Sequence, residues 1–420
     1  MAKRYLVVTG AAIVSLGCGM IGVNPAAAAL SGTPGVTATT IRVGVPYVDV
    51  AAVKAVGVNI SWGSVPDAFN AVIDDINAHG GINGRKIVPY LVAVNPTGTA
   101  PAATACTQLT EDDTVFVAIA PLQATCYLQH NTPVVASIYP AGNSPNVAQD
   151  FTTTPPNSAF DPIQLSVYDK QGVFTHKKVA VFGGDAGDQS EVSAVQSDLA
   201  KLHVPVVTTA VDSAPQGDLP AENAQITVIA QRFRSAGVNE VVAVGNGSSI
   251  WPEGLSAIQS TYNPPWVATN ESNFTGAVGG DYNPAYLSNV VTSSPLTPPA
   301  AIWNNAGTQH CVHIVKKAFP SDQIRAYGPS VPESEATWTS VEIACTDMAL
   351  FTDIAKAAGR NLTVQSFVHA GYGLKNLTLP GAAAPISFGP GRPYGLGPVY
   401  MVHYDPAIKG VVYANKSVTG

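Results

Sequence analysis

FNAVIDDINAHGGINGRKIV, residues 69–88, sets Phe69, Val72, Ile73 and Ile76 at three- and four-residue spacing. That spacing makes one apolar stripe of a helix. His79 closes its last turn, Gly80 and Gly81 supply the positive φ that ends it, and Asn83-Gly84 makes a second turn. Arg85-Lys86 then lead into 87–92, an apolar, β-branched run that reads as a buried strand. Upstream, IRVGVP at 41–46 reads as another strand. Strand, helix, glycine turn and strand in that order form a βαβ unit, which requires a parallel sheet with helices on its faces.

Around this unit the chain runs to 420 residues, more than one hydrophobic core holds, so two lobes are expected. Charged residues are only 12% of the sequence, against a usual fraction of about 25%. Apolar runs recur throughout, which excludes a disordered chain. The first 29 residues read as an export signal: Lys3-Arg4, an apolar run at 6–23, and a small-residue cleavage site at 25–29. Taking those two basic residues from the 21 leaves 19 against 28 acidic ones, a net charge of −9. An acidic mature chain argues against nucleic acid and against anionic lipid surfaces. Ser15-Leu-Gly-Cys18 approaches a lipobox, with Ser15 in place of the usual Leu, so a lipid anchor through Cys18 competes with a plain signal.

The rest of the chain alternates strands and helices. Strands are expected at 115–120, 133–138, 177–182, 204–209, 241–244 and 399–404, and helices at 104–110, 192–202, 225–236, 308–318 and 337–358. The aperiodic stretches 151–162 and 290–299, rich in Thr, Ser and Pro, read as crossovers between lobes, and the Gly/Pro-rich 380–398 as a third crossover or a surface loop. Ligands of open α/β sheets bind beyond the carboxyl ends of strands. Trp62 lies in such a loop, after the first strand. The turn 183–188 lacks the Lys-Ser/Thr of a phosphate loop, and its aspartates Asp185 and Asp188 suit an ammonium or a helix cap.

INAHGGINGRK, with IRVGVPY before it and 109–121 after it, resembles the type I periplasmic binding proteins, in particular the branched-chain amino-acid (leucine/isoleucine/valine) receptors of ABC transporters. The resemblance implies an α/β fold of two doubly wound parallel-sheet lobes joined by three crossovers. Lobe 1 is expected at 40–153 plus 296–382, lobe 2 at 154–295 plus 383–420, and the signal at 1–29. It also implies an extracytoplasmic monomer in the periplasm or cell envelope that needs no cofactor. Such a receptor closes on a small polar solute and docks to a membrane permease whose ATPase is a separate chain. By this likeness Trp62 walls the pocket, and Gln123, Ala124 and Thr125 open a helix that takes a carboxylate. Ser137 and Tyr139 match a ligand-contacting segment, Asn246 lies in a ligand loop, and Glu271 stands where an ammonium is held.

Apart from Cys18, the cysteines are Cys106, Cys126, Cys311 and Cys345. In an oxidising compartment they make two disulfides. Three pairings are open, and Cys106–Cys126 with Cys311–Cys345 is favoured because each brackets neighbouring elements. A metal at His310-Cys311-Val312-His313 would lack further ligands at a suitable spacing, so none is expected. No GxSxG, HExxH or CxxC motif is present. A secreted enzyme on a related scaffold and a sensory ectodomain remain the alternatives.

Overall fold

A computed structural model describes residues 32–55, 61–96, 99–137, 148–214, 219–258, 262–278, 284–295, 298–326, 335–382, 384–395 and 397–418. The signal at 1–29, Cys18 and Tyr139 lie outside the described residues.

The first sheet holds β1 (Thr40–Val48), β2 (Lys86–Val94), β3 (Val117–Ile119), β4 (Val134–Ala136) and β5 (Asp150–Thr152). Its strands run parallel in the order β2-β1-β3-β4-β5. Alternation in β1 explains its two faces. Ile41, Val43 and Val45 are fully buried in the core beneath helices Val65–Ala78, Ala306–Ala318 and Thr339–Ala358. Gly44 on the other face packs on Leu109 and Val115, in a smaller core with Cys106, Tyr127 and Val134.

The 69–88 stretch forms the helix, glycine turn and strand its sequence dictates. The strand expected to be buried is the edge strand β2, half-buried from Val88 to Val92 because only β1 flanks it. The glycine turn fastens several elements at once. Ser64 caps the helix, accepting from Asp67 N at 3.3 Å. Asn77 locks it to β2 through a reciprocal pair: its Nδ2 donates to Ile87 O at 2.9 Å and its Oδ1 accepts from Ile87 N at 2.7 Å. Gly81 has φ 66°, and a Cβ there would lie 2.0 Å from Arg85 O, so only glycine fits. Arg85 donates from Nε to Thr37 O and from Nη2 to Arg360 O, both at 2.7 Å. The turn thus ties the leader, β2 and the end of helix Thr339–Ala358 together, at the amino end of β2.

The second sheet comprises β6 (Val179–Gly183), β7 (Val206–Val211), β8 (Glu240–Val244), β9 (Trp266–Ala268), β10 (Val290–Ser294), β11 (Val399–Asp405) and β12 (Gly410–Val418). Its order is β12-β11-β10-β9-β8-β6-β7. The five strands from β10 to β7 are parallel, and β11 and β12 add antiparallel at one edge. Val179 and Val181 face helices Asn157–Lys170 and Gln189–Lys201, while Ala180 and Phe182 face Trp251 and Phe233. The chain passes between the sheets three times: after β5, after β10 and before β11. Among the described residues no helix or strand of one lobe packs extensively on the other.

Two stretches read as structureless crossovers are more than that. Residues 151–162 carry the end of β5 and the first turns of helix Asn157–Lys170. That helix buries Asp161 and Gln164 beside Phe160, Leu165 and Tyr168, so polar residues on its inner face dilute the apolar period. Residues 290–299 begin with β10, whose Thr292, Ser293 and Ser294 are fully buried. Their hydroxyls are satisfied internally: Thr292 donates to Ala268 O at 2.8 Å, and Ser293 accepts from Tyr168 at 2.6 Å. Helix Val364–Gly373 and strand β12 were not signalled by pattern at all.

Candidate functional site

A cavity of about 230 Å³ opens at the carboxyl ends of β1, β3 and β4. Val45, Pro46, Tyr47 and Val48 contribute from β1, and Val65 and Phe69 from the following helix. Trp62 closes one wall; its carbonyl accepts from Ser340 N at 2.8 Å, which holds it against the start of helix Thr339–Ala358. Ala120, Pro121 and Leu122 follow β3. Ala120 adopts a left-handed φ of 51°, uncommon for a residue with a Cβ. Its N–H still bonds Val135 O at 2.8 Å as the chain turns over the strand end. Ala136 and Ser137 complete the end of β4, and Ile343 reaches in from helix Thr339–Ala358.

The loop after β3 supplies residues other than those the sequence singled out. Gln123 and Thr125 are exposed, and Ala124 is fully buried in the small core. Helix Thr125–Gln129 is only five residues long, with no side-chain cap at Ala124. Its short dipole makes it a poor carboxylate cradle.

Behind the cavity lies a group that pattern reading passed over. Asp347 is fully buried, one helical turn after Ile343. Neither of its carboxyl oxygens has a partner in strict hydrogen-bond geometry, although the Ser137 N–H and hydroxyl face it. Burial, with Glu342 nearby, holds its carboxyl well above the usual carboxylate range, and burial pushes Glu342 up to about 7. The available signal was a lone acid inside an otherwise apolar run, Ala344-Cys-Thr-Asp-Met-Ala-Leu350. Ser137 is also tied to the first crossing, because its carbonyl accepts from the hydroxyls of Thr153 and Thr154. The first and third crossings pair there too: Thr152 N bonds Pro393 O at 3.0 Å and Gly395 N bonds Thr152 O at 2.8 Å.

On the second lobe the sequence-selected polar residues gather at the carboxyl ends of β6, β8 and β9, each bound to neighbouring loop or helix groups. Asp185 accepts from Gly187 N at 2.6 Å as a helix cap. Asp188 accepts from Gly184 N at 2.7 Å, and burial raises its pKa. Gly245 takes φ 51°, and a Cβ there would lie 2.0 Å from Asp188 Oδ1, so glycine lets the two loops close around that carboxylate. Asn246 accepts from Ser249 Oγ at 2.9 Å. Glu271 is no solvated loop acid: it is buried, and it accepts from Thr275 at 2.7 Å, Tyr413 at 3.1 Å and Ser294 at 3.4 Å. Glu191, unremarked in the sequence, accepts from Gly245 N at 3.2 Å and Thr269 Oγ1 at 3.3 Å. Beside it Asp161 is 1% exposed, and burial with the neighbouring Glu191 raises its pKa well above normal.

The cysteines form Cys106–Cys126 and Cys311–Cys345. The first staples the thin helical layer of lobe 1 and the second joins helices Ala306–Ala318 and Thr339–Ala358.

No family profile matches the chain, and no curated protein matches it in sequence. Solved structures do match in shape along almost their whole length. A fatty acid ABC transporter substrate-binding protein from Thermomonospora curvata is similar at TM-score 0.61 and 14% identity, covering 93% of this chain and 95% of that one. The branched-chain amino acid transporter substrate-binding protein LivJ from Streptococcus pneumoniae, in complex with isoleucine, is similar at TM-score 0.59 and 16% identity, covering 91% and 100%. This is the type I periplasmic binding protein fold. A solute-binding protein from R. palustris in complex with 4-hydroxybenzoate shares that fold at TM-score 0.59 and 15% identity, covering 90% and 96%. At these identities the likeness concerns architecture. The type I binding-protein fold accounts for the two sheets and three crossings, and the chemistry of the cavity must be read from its own residues.

Proposed function

We propose that the chain is an extracytoplasmic solute-binding protein of an ABC importer, a monomer that closes its two lobes over a small organic solute and presents it to a membrane permease. The observation that carries this reading is the cavity of about 230 Å³ beyond the strand ends of lobe 1, next to the paired crossings. It is smaller than the roughly 300–1,000 Å³ of drug-sized sites, so it fits a solute of amino-acid size. In this reading Trp62 is a wall and Ser137 the polar contact on lobe 1, while Asp185 and Asn246 supply the surface that comes down on closure. The neighbours with this fold include complexes with isoleucine and with 4-hydroxybenzoate, which supports a small organic solute and a binding role without catalysis. The export signal expected at 1–29 supports a location outside the cytoplasm.

The test is a thermal-shift panel of amino acids, amides and small organic acids. A solute that binds only the native state raises the unfolding midpoint by mass action. At least one solute is expected to raise it in proportion to the logarithm of its concentration. A broad panel that leaves the midpoint unmoved sinks the proposal.

A further inference from the structure

We infer that the cavity rejects anions, and that its solute is an apolar molecule without a carboxylate or other anionic group. The inference rests on the solute-binding reading above and narrows the ligand class for it. It parts company with the isoleucine and 4-hydroxybenzoate held by structural neighbours, each of which carries a carboxylate.

An anion that leaves water for an apolar site needs a counter-charge or converging N–H groups, because burying it without them costs several kcal/mol. Among the described residues that line the cavity there is no Lys, Arg or His. The loops leaving the carboxyl ends of β3, β4, β6, β8, β9 and β10 are 120–124, 137–149, 184–188, 245–246, 269–270 and 295–298. They contain no Lys, Arg or His either, and they contribute Asp185 and Asp188. Three cations stand in neighbouring segments. Lys54 is exposed on helix Val50–Ala55, Arg325 pairs with Glu335 at 3.6 Å, and Arg392 lies on the third crossing; none of them is in the lining.

Helix N-termini are the other device for holding an anion, and those beside the cavity are taken. Helix Val65–Ala78 opens with Ser64 accepting from Asp67 N, with Pro66, which has no N–H, and with the Asp67 carboxyl in its first turn. In helix Thr339–Ala358, Ser340 N donates to Trp62 O at 2.8 Å, Val341 N and Glu342 N donate to Trp338 O, and Glu342 adds an acid to the first turn. The acids on that helix act in one sense however they titrate. Glu342 and Asp347 are outside the lining; protonated they supply no counter-charge, and ionised they repel an anion. The polar side chains within the lining, Tyr47, Trp62 and Ser137, are neutral and can pair with an amide, a carbonyl or a hydroxyl. The remaining wall, from Val45 and Val48 to Phe69, Leu122 and Ile343, suits a hydrocarbon or aryl body.

The experiment is calorimetric titration of the full chain at neutral pH with pairs that share a carbon skeleton: 4-methylpentanamide with 4-methylpentanoate, and benzamide with benzoate. In the pair that fits, the amide is expected to bind about tenfold or more tightly than its carboxylate. Leu122→Lys sets an ammonium at a half-buried wall position and should raise carboxylate affinity about tenfold, closing the gap. Its unfolding midpoint checks that it folds, and the unsubstituted chain decides alone if it does not. A carboxylate that binds as tightly as its amide overturns the inference and leaves the receptor reading intact. A folded Leu122→Lys variant that binds the amide and gains nothing for the carboxylate overturns it too. If neither pair binds, the solutes that raise the midpoint in the thermal-shift panel decide: carboxylates, amino acids included, overturn the inference, and solutes without an anionic group support it. A silent panel with no probe bound removes the receptor reading and this inference with it.

Discussion

The strand ends of the two lobes are built on opposite terms. On lobe 1 the ends of β1, β3 and β4 surround an apolar cavity, and Asp347 behind it, with Glu342 nearby, has no hydrogen-bond partner. On lobe 2 the ends of β6, β8 and β9 are crowded with acids, and Asp185, Asp188, Glu191 and Glu271 each accept hydrogen bonds from neighbouring protein groups. An acidic surface attracts attention in a sequence because charge is rare in this chain, yet most of these carboxylates serve their own loops. The surface with capacity to spare for an outside partner is the greasy one. A contact that the protein already satisfies internally has little left to offer a ligand.

The same asymmetry governs how each lobe is held. Both disulfides lie in lobe 1, closing loops of 20 and 34 residues, and each is expected to contribute about 3 kcal/mol. Among the described residues lobe 2 has none. Reduction should therefore loosen lobe 1 first. Hydrogen exchange with and without reductant would register this as protection lost at β1–β5 and helix Thr339–Ala358 while β6–β10 stay protected. Equal loss in both lobes would break the comparison. Next in size, Asp188→Ala strips the Gly184 N–H of its acceptor between two touching loops, at a cost of about 1.5–3 kcal/mol. It should lower the stability of lobe 2 and leave probe affinity within about twofold, because 1.4 kcal/mol would already be a tenfold change. A collapse of affinity with stability unchanged would make Asp188 a ligand contact.

Much of this architecture was legible in the chain, and the site was not, for physical reasons. The 69–88 stretch announces itself because turn glycines, a helix stripe and a β-branched strand each have strict local requirements, although these overstate the burial of that strand: β2 is a half-buried edge strand. Those requirements serve fastening: Asn77, Gly81 and Arg85 bind elements together at the amino end of β2, away from the cavity. The cavity is assembled from residues 45–48, 62, 65, 69, 120–122, 136–137 and 343, whose spacing along the chain has no chemically distinctive pattern. Leu122 and Ile343 look like any core residue until the fold puts them around one cavity. Strand-end position together with the family resemblance pointed to Trp62 and Ser137, which line the cavity, and the resemblance pointed to Gln123 and Ala124, which do not. Strand β10 and helix Asn157–Lys170 escaped for the converse reason, since their buried faces carry hydroxyls, an amide and an acid whose partners are brought together only by the fold.

Acidity supplies the third test. Burial raises the pKa of Glu342 to about 7 and that of Asp347 above normal, so the native state binds these protons more tightly than the unfolded chain. Their contribution is whole below the unfolded value near 4.5 and is lost as pH rises towards and through about 7. Stability should accordingly fall between pH 5 and pH 8. Glu342→Gln should recover about 1–2 kcal/mol at the upper end and change nothing at pH 4.5. Guanidinium titrations of both proteins at the two pH values decide it, and a parallel pair of curves would place the buried-acid cost elsewhere, with Asp161 and Glu191 of lobe 2 the next groups to test.

The smallest expected effect is the most pointed. Thr154 donates to Ser137 O at 3.4 Å from the first crossing, in company with Thr153. Thr154→Val keeps the shape and removes that donor, so it should cost about 0.5–1 kcal/mol at most, the net worth of one neutral hydrogen bond with a second donor remaining. If Ser137 only lines a pocket, stability is all that moves. If the serine is the point where a bound solute and the crossing meet, loosening its carbonyl should also change the rate at which probes dissociate, because closure and release both flex this segment. Stopped-flow dissociation of a solute found with the thermal-shift panel, followed by tryptophan fluorescence with Trp62 at the wall, separates the two. A rate changed severalfold at nearly constant stability couples the apolar lobe to the hinge, and an unchanged rate confines Ser137 to the cavity.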